Sequence, residues 1–174
     1  MILKDIHTIV SYLLSPALTG WAFFVPLCRP AMMNLIEQLK RHAGFYECVW
    51  YSGGRRLIGY GHDLNVEPLP EHLQRDFDNS PITLDEAEEL LAADVMNLRD
   101  LVYQCLDLNQ FNYVRQQAIL SVAYWLTYPR FCRELQLISS LSKKDFKVSA
   151  LIIAKKKPEF RAEELAKQIL TGEY

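Results

Sequence analysis

The sequence predicts an α+β protein that is mostly helical. From position 84 onward, long segments repeat apolar residues at helical spacing. Turn and strand signals coincide at one place, where Ser52-Gly53-Gly54 separates two short runs rich in aromatic and β-branched residues. One small hairpin is therefore expected beside several helices, which have to supply most of the core.

Glycines mark the ends of the first predicted elements. Apolar residues recur at helical spacing up to Gly44, which predicts that a first helix ends there. After the hairpin, Gly59 and Gly61 predict two positions where the backbone closely approaches a neighbouring element.

The strongest helix signal is the capping box Thr83-Leu84-Asp85-Glu86, in which hydroxyl and carboxylate each satisfy an unpaired backbone N–H. Apolar residues then keep helical period as far as Cys105, which predicts a helix of about six turns. A second long helix is predicted from Gln110 to Leu126. The remainder of the chain is predicted to alternate short helices with tight connections.

Composition restricts the class of protein. The chain has 174 residues, enough for one domain with a substantial core. Its 19 Lys and Arg residues against 21 Asp and Glu residues argue against a nucleic-acid-binding protein, which needs a basic surface. The four cysteines lack the spacing of a metal site and are expected to be buried free thiols. Neither a metal nor a cofactor is predicted.

The N-terminal segment is unusually apolar. Residues 6–28 contain no Lys, Arg, Asp or Glu, and a run of that length could span a bilayer. Pro16 and Pro26 interrupt the run, and Asp5 is unfavourable for a signal peptide. Two interpretations stay open: membrane association or export through residues 6–28, or a packed or merely appended extension. The predicted organisation is an extension over residues 1–32 and a domain over residues 33–174.

Three motifs give the chain a resemblance to a known family. They are Arg41-His42-Ala43-Gly44, Trp50-Tyr51-Ser52-Gly53-Gly54 and Leu57-Ile58-Gly59-Tyr60-Gly61-His62. In order and content they resemble the active-site region of the phage-type lysozymes, a family of muramidases and endolysins. Its members show Arg-x-Glu-Gly, a Tyr-x-Asp segment leading into a glycine-containing hairpin, and Thr-Ile-Gly-x-Gly-His. The resemblance covers about residues 33–172 and implies a two-lobed fold, with a small hairpin lobe, a long connecting helix and a helical lobe. It also implies short helices over residues 133–141, 143–154 and 159–170.

The reactive residues of the family are replaced in this chain. Its catalytic Glu falls on Ala43, its Asp on Tyr51 or Ser52, and its Thr on Leu57. Glycoside hydrolysis needs a carboxylic acid at the leaving oxygen and usually a second carboxylate. The resemblance therefore predicts a catalytically inactive pseudo-lysozyme that binds peptidoglycan, or a phage or host protein, in an infected or prophage-carrying bacterium. Such a protein would be cytoplasmic, membrane-associated or periplasmic.

The alternative is an active endolysin with relocated carboxylates that hydrolyses the linkage from N-acetylmuramic acid to N-acetylglucosamine. Glu47 is then the best substitute acid and Asp63 the best candidate base, although both also fit solvated loop carboxylates. A decayed copy of a hydrolase would show the same losses.

The substrate groove expected from the resemblance includes four further residues. They are His62, Tyr60, Trp125 and Tyr128. Their aromatic rings could stack on sugars, although aromatic residues near a helix end are also common in protein cores.

Overall fold

The computed structural model describes residues 29–66 and 68–174, with side chains from Asn34 onward. The apolar segment 6–28 and nearly all of the predicted extension 1–32 lie outside the described residues. Seven α-helices and one three-stranded antiparallel sheet make up the described part, so the predicted mostly helical α+β class is confirmed. Among the described residues, every helix is too short or too polar to cross a membrane.

The elements follow one another in a simple order. The first helix and the sheet are α1 (Arg29–Ala43), β1 (Tyr46–Ser52), β2 (Arg55–Gly59) and β3 (His62–Asp63). The remaining helices are α2 (Leu84–Tyr103), α3 (Tyr113–Leu126), α4 (Tyr128–Arg133), α5 (Leu135–Ser142), α6 (Phe146–Ala154) and α7 (Glu159–Thr171). Two 3₁₀ turns, Glu71–Leu73 and Leu108–Gln110, lie in the connections before α2 and α3.

The sheet is the predicted hairpin with one short strand added. Strands β1 and β2 pair in antiparallel register, with Ser52 opposite Arg55 on either side of the glycine turn. Gly59 ends β2 with φ +63°, and a Cβ built there would lie 2.9 Å from the Cβ of Ala87. The predicted close approach at Gly59 is confirmed, because the sheet backbone lies directly against α2.

Helix α2 begins as predicted and links the sheet to the other helices. Thr83 accepts from the Glu86 backbone N–H, and the Glu86 carboxylate accepts from the Thr83 N–H, which completes the capping box. Arg75 donates to both Glu86 oxygens at 2.6 and 2.7 Å. These hydrogen bonds outweigh partial burial and lower the pKa of Glu86 to about 2. Helix α2 contacts β2 as well as α3 and α4.

Helix α3 is the central element of the helical part. It contacts α1, α2, α4 and α7, and its residues 117–123 are all buried. The apolar core is continuous from Ile58 in the sheet, through α2 and α3, to Leu165 in α7. The first helix ends at Ala43, and Gly44 follows at φ +74°, as predicted.

Several predicted helix boundaries are wrong. Helix α3 begins at Tyr113 instead of Gln110, because the Asn112 side chain caps it by accepting from the Arg115 N–H. The helix predicted over residues 133–141 begins two residues later, as α5 at Leu135, because Arg133 is the last residue of α4. Helix α6 begins at Phe146 instead of at residue 143.

The cysteines are free thiols in the described part, as predicted. The predicted burial is wrong for Cys48, which is exposed on β1. Cys105 and Cys132 are half-buried, with their Sγ atoms 3.8 Å apart. Cys28 lies outside the described residues.

Candidate functional site

A cleft of about 280 Å³ opens between the end of α1, the hairpin, and helices α3 and α7. Its volume lies near the lower end of the range for small-molecule sites, which is about 300–1,000 Å³. The residues that line it come from these four parts of the chain. They are Leu39, His42, Ala43, Tyr46, Trp50, Ser52, Arg55, Leu57, Tyr60, Gly61, Ser121, Tyr124, Trp125 and Arg161.

Five aromatic side chains give the cleft its walls. Tyr46 and Trp50 on β1 stack with ring centroids 4.4 Å apart and an angle of 34° between the rings. Across the cleft, the Tyr124 hydroxyl donates to the Tyr60 carbonyl oxygen at 3.1 Å, which ties α3 to the turn after β2. Burial raises the pKa of Tyr124 well above its ordinary value, so that hydroxyl stays protonated. Tyr60 and Trp125 are the other two aromatic residues of the lining.

The described lining of the cleft contains basic side chains but no carboxylate. Arg55 and Arg161 line it together with His42, whereas Asp and Glu are absent from its described lining. Burial lowers the pKa of Arg161, because desolvation disfavours the charged guanidinium. The buried Nε of Arg161 and the buried Oγ of Ser121 have no hydrogen-bond partner among the described residues.

Polar contacts hold α7 against α1 close to Arg161. Gln38 and Gln168 exchange hydrogen bonds in the core, at 3.0 Å for the shorter one. One turn further along, His42 contacts the Glu164 carboxylate at 2.8 Å, and Arg41 donates to the same group. Burial opposes ionisation of Glu164, but these hydrogen bonds prevail and lower its pKa. Arg161 lies one turn of α7 before Glu164 and therefore close to these contacts.

The positions that would carry the reactive groups of a lysozyme lie mostly on this cleft. Ala43, Ser52 and Leu57 line it, whereas Tyr51 is 69% exposed and outside the lining. Alternate residues of a strand point to opposite faces, and Tyr51 interacts with Arg56 instead. Of the two candidates for the Asp position, Ser52 is therefore the one that faces the cleft.

The two proposed substitute carboxylates lie elsewhere. Glu47 is exposed on β1, and its carbonyl oxygen accepts from the Ile82 N–H at 2.8 Å, on the side towards α2. Asp63 accepts from the Asn65 N–H at 3.1 Å and so holds the turn after β3. Neither residue is part of the cleft lining.

Comparison with protein-family models finds no match for this chain, and comparison with curated protein sequences finds none either. The resemblance to lysozymes therefore rests on the motifs described above.

The four predicted groove residues divide into two pairs. Tyr60 and Trp125 line the cleft. His62 is buried outside the lining, where its Nδ1 lies 2.9 Å from Asp94 Oδ1. Tyr128 also lies outside the lining, and a hydrogen bond with Cys132 raises its pKa to about 12. His62 and Tyr128 thus have structural contacts of their own.

Sequence reasoning missed several residues of the cleft. Those with a polar or aromatic group are His42, Tyr46, Trp50, Arg55, Ser121 and Arg161. Arg161, Glu164 and Gln168 recur at helical spacing in α7, but such a polar line is also typical of the solvent-facing side of an amphipathic helix, so the sequence does not single out Arg161. The described residues contain no group of three or more His, Cys, Asp or Glu side chains that could hold a metal ion.

Proposed function

We propose that this chain is a lysozyme-like protein that binds the glycan strands of peptidoglycan without hydrolysing them. The observation that supports the proposal is a cleft whose described lining contains five aromatic side chains and no carboxylate. Aromatic faces supply flat apolar area for sugar rings at low entropic cost, which favours binding.

The same observation argues against hydrolysis. Both retaining and inverting glycosidases place two carboxyl groups on either side of the scissile bond. Ala43, Ser52 and Leu57 offer at most one hydroxyl to the cleft, and none of them can protonate a leaving oxygen as an acid does. The alternative of relocated acids requires Glu47 or Asp63 to reach substrate, although both lie outside the lining.

A sedimentation assay with purified peptidoglycan tests the binding. The wild-type protein should pellet with the glycan, and Trp50→Ala should weaken this binding about tenfold, since an anchoring aromatic contributes more than 1 kcal/mol. Tyr51→Ala is the matched control, because this adjacent aromatic residue is exposed outside the cleft. Equal losses in the two variants, or no pelleting of the wild type, would contradict the proposal and leave binding to a protein partner.

Release of soluble fragments from the same peptidoglycan tests the enzymatic alternative. We expect no release above the buffer rate. Release by the wild type that disappears in Glu47→Gln or Asp63→Asn would overturn the proposal in favour of an active endolysin.

A further inference from the structure

The strongest unexplained feature of the cleft is a positive charge, at Arg161, that has no ion-pair partner among the described residues. Along the contact between α1 and α7, Gln168 pairs with Gln38 and Glu164 pairs with His42. Arg161 is the next residue in this line, and neither a carboxylate nor a carbonyl among the described residues accepts from its buried Nε. Its guanidinium carbon lies 5.5 Å from the centre of the Phe160 ring, an aromatic contact that neutralises no charge.

A partly desolvated cation without a counter-charge is costly. The pKa of Arg161 is lowered by burial, which shows that the protein surroundings disfavour its charge. A bound anion would remove this cost, because a guanidinium donates two parallel hydrogen bonds to a carboxylate and binds it more strongly than a neutral acceptor.

Two further groups in the same cleft point to the same ligand chemistry. Ser121 also lines the cleft and is 0% exposed, and its hydroxyl has no hydrogen-bond partner among the described residues. Arg55 lines the cleft too and lies close enough to Tyr124 to act on its pKa. One serine and two arginines thus line the same cleft beside its aromatic side chains.

We infer that the cleft selects an acidic saccharide, whose carboxylate is held by Arg161 and Arg55 while a neighbouring ring packs on the aromatic walls. This inference rests on the proposed glycan binding and adds the charge of the preferred ligand. The carboxylate can belong to a uronic acid ring or to the lactyl group of a muramic acid that carries no stem peptide, since both present the same oxygen pair.

Calorimetric titration with three oligosaccharides tests the inference. Chitotetraose is the neutral probe, a hyaluronan tetrasaccharide is the uronate probe of equal length, and the disaccharide of N-acetylglucosamine and N-acetylmuramic acid carries the lactyl carboxylate. We expect at least one acidic probe to bind roughly tenfold or more tightly than chitotetraose. That preference should decrease as the salt concentration is raised, because dissolved ions screen the attraction between the carboxylate and the arginines.

Variants separate recognition of the charge from a structural role. Arg161→Gln should abolish the preference for the acidic probe over chitotetraose, and should keep or raise the thermal stability, because it removes a cation without a counter-charge among the described residues. Arg161→Lys should retain part of the preference, since lysine keeps the positive charge but cannot donate two parallel hydrogen bonds as a planar guanidinium does. Arg133→Gln is the control, because Arg133 is an exposed arginine outside the cleft.

The outcomes distinguish this inference from the proposed function. If the wild type binds chitotetraose as tightly as both acidic probes, or if Arg161→Gln keeps the preference, charge selection is refuted while glycan binding stands. If the wild type binds none of the three oligosaccharides and does not pellet with peptidoglycan, both proposals are refuted.

Discussion

Gly59→Ala should destabilise the protein strongly, because Gly59 sets the distance between the sheet and α2. The residue has φ +63°, where a side chain costs about 1–2 kcal/mol. Its added Cβ would lie 2.9 Å from the Cβ of Ala87, and overpacking of this kind costs about 1–3 kcal/mol. Together these costs predict that the free energy of unfolding falls by about 2–5 kcal/mol.

Gly53→Ala is the matched control for this experiment. Gly53 has φ +58°, but a Cβ there meets nothing within 4 Å, so this variant carries the backbone cost alone. Urea unfolding followed by circular dichroism should give a lower midpoint for both variants with little change in slope. Gly59→Ala should be the less stable by about 1–3 kcal/mol, a gap of roughly 2–12 °C in Tm for a chain of this size.

Combining Gly59→Ala with Ala87→Gly tests the close packing directly. In this background the atom that meets the new Cβ is absent, so the cost of Gly59→Ala should fall to that of Gly53→Ala. If Gly59→Ala costs no more than Gly53→Ala in the wild-type background, or if Ala87→Gly does not reduce its cost, the argument from close packing is refuted.

Two further predictions concern charge and thiol chemistry. Glu86→Gln keeps a residue able to complete the capping box but loses the ion pair with Arg75, so it should cost about 1–2 kcal/mol at pH 7 after allowance for solvent screening. The pKa of Glu86 falls from 4.5 to about 2 on folding, because of its hydrogen bonds with Arg75. The stability difference between the wild type and Glu86→Gln should therefore be full above about pH 4.5 and disappear by about pH 2. A difference in denaturant midpoint that does not depend on pH would contradict this prediction. In a Cys48→Ser background, diamide should join Cys105 to Cys132, whose separation of 27 residues predicts a stabilisation of about 3.5 kcal/mol. The reaction should accelerate as pH approaches about 11, the raised pKa of Cys105, and peptide mapping that finds both thiols unmodified would refute it.

Local signals made part of the fold predictable. The capping box before α2 and the glycines at positions 44 and 53–54 were identified correctly, because each acts through its own backbone neighbours. No helix was predicted between Leu126 and residue 133, where the structure has α4. Proline is tolerated in the first turn of a helix, and Pro129 occupies that place in α4.

The start of α3 shows a second limit of local reasoning. Asp107 and Asn112 both cap a helical segment, the first a 3₁₀ turn and the second α3 itself. The apolar pattern around Phe111 is continuous across the gap between them, so periodicity alone does not reveal which cap begins the long helix. Asn112 also donates to the Gly172 carbonyl oxygen, a contact 60 residues away that sequence reasoning could not anticipate.

The cleft was predicted less completely than the fold, because it is assembled from distant segments. Ala43, Tyr60 and Trp125 could be named from motifs and helix ends. Arg161 could not, since an arginine in an amphipathic helix ordinarily reaches solvent. Its location on the cleft depends on the contacts of α7 with α1, which the sequence of either helix does not specify.

The orientation of β1 determines how lost hydrolysis should be restored. Of the two residues that could replace the family Asp, Ser52 lines the cleft, whereas Tyr51 is exposed on the opposite side of the hairpin. Ala43→Glu combined with Ser52→Asp should therefore bring two carboxylates to the cleft, and a general acid contributes about 10²–10⁴-fold to the rate.

The matched control is Ala43→Glu combined with Tyr51→Asp, which adds the same two charges but places one of them on the solvent side. Release of soluble peptidoglycan fragments should increase above background only in the Ser52 combination. Leu57 is buried on the cleft, and Leu57→Thr added to that pair should increase the rate further, because a hydroxyl there can hold water where leucine excludes it. Equal activity of the Ser52 and Tyr51 combinations would refute the assignment of Ser52 to the reactive position.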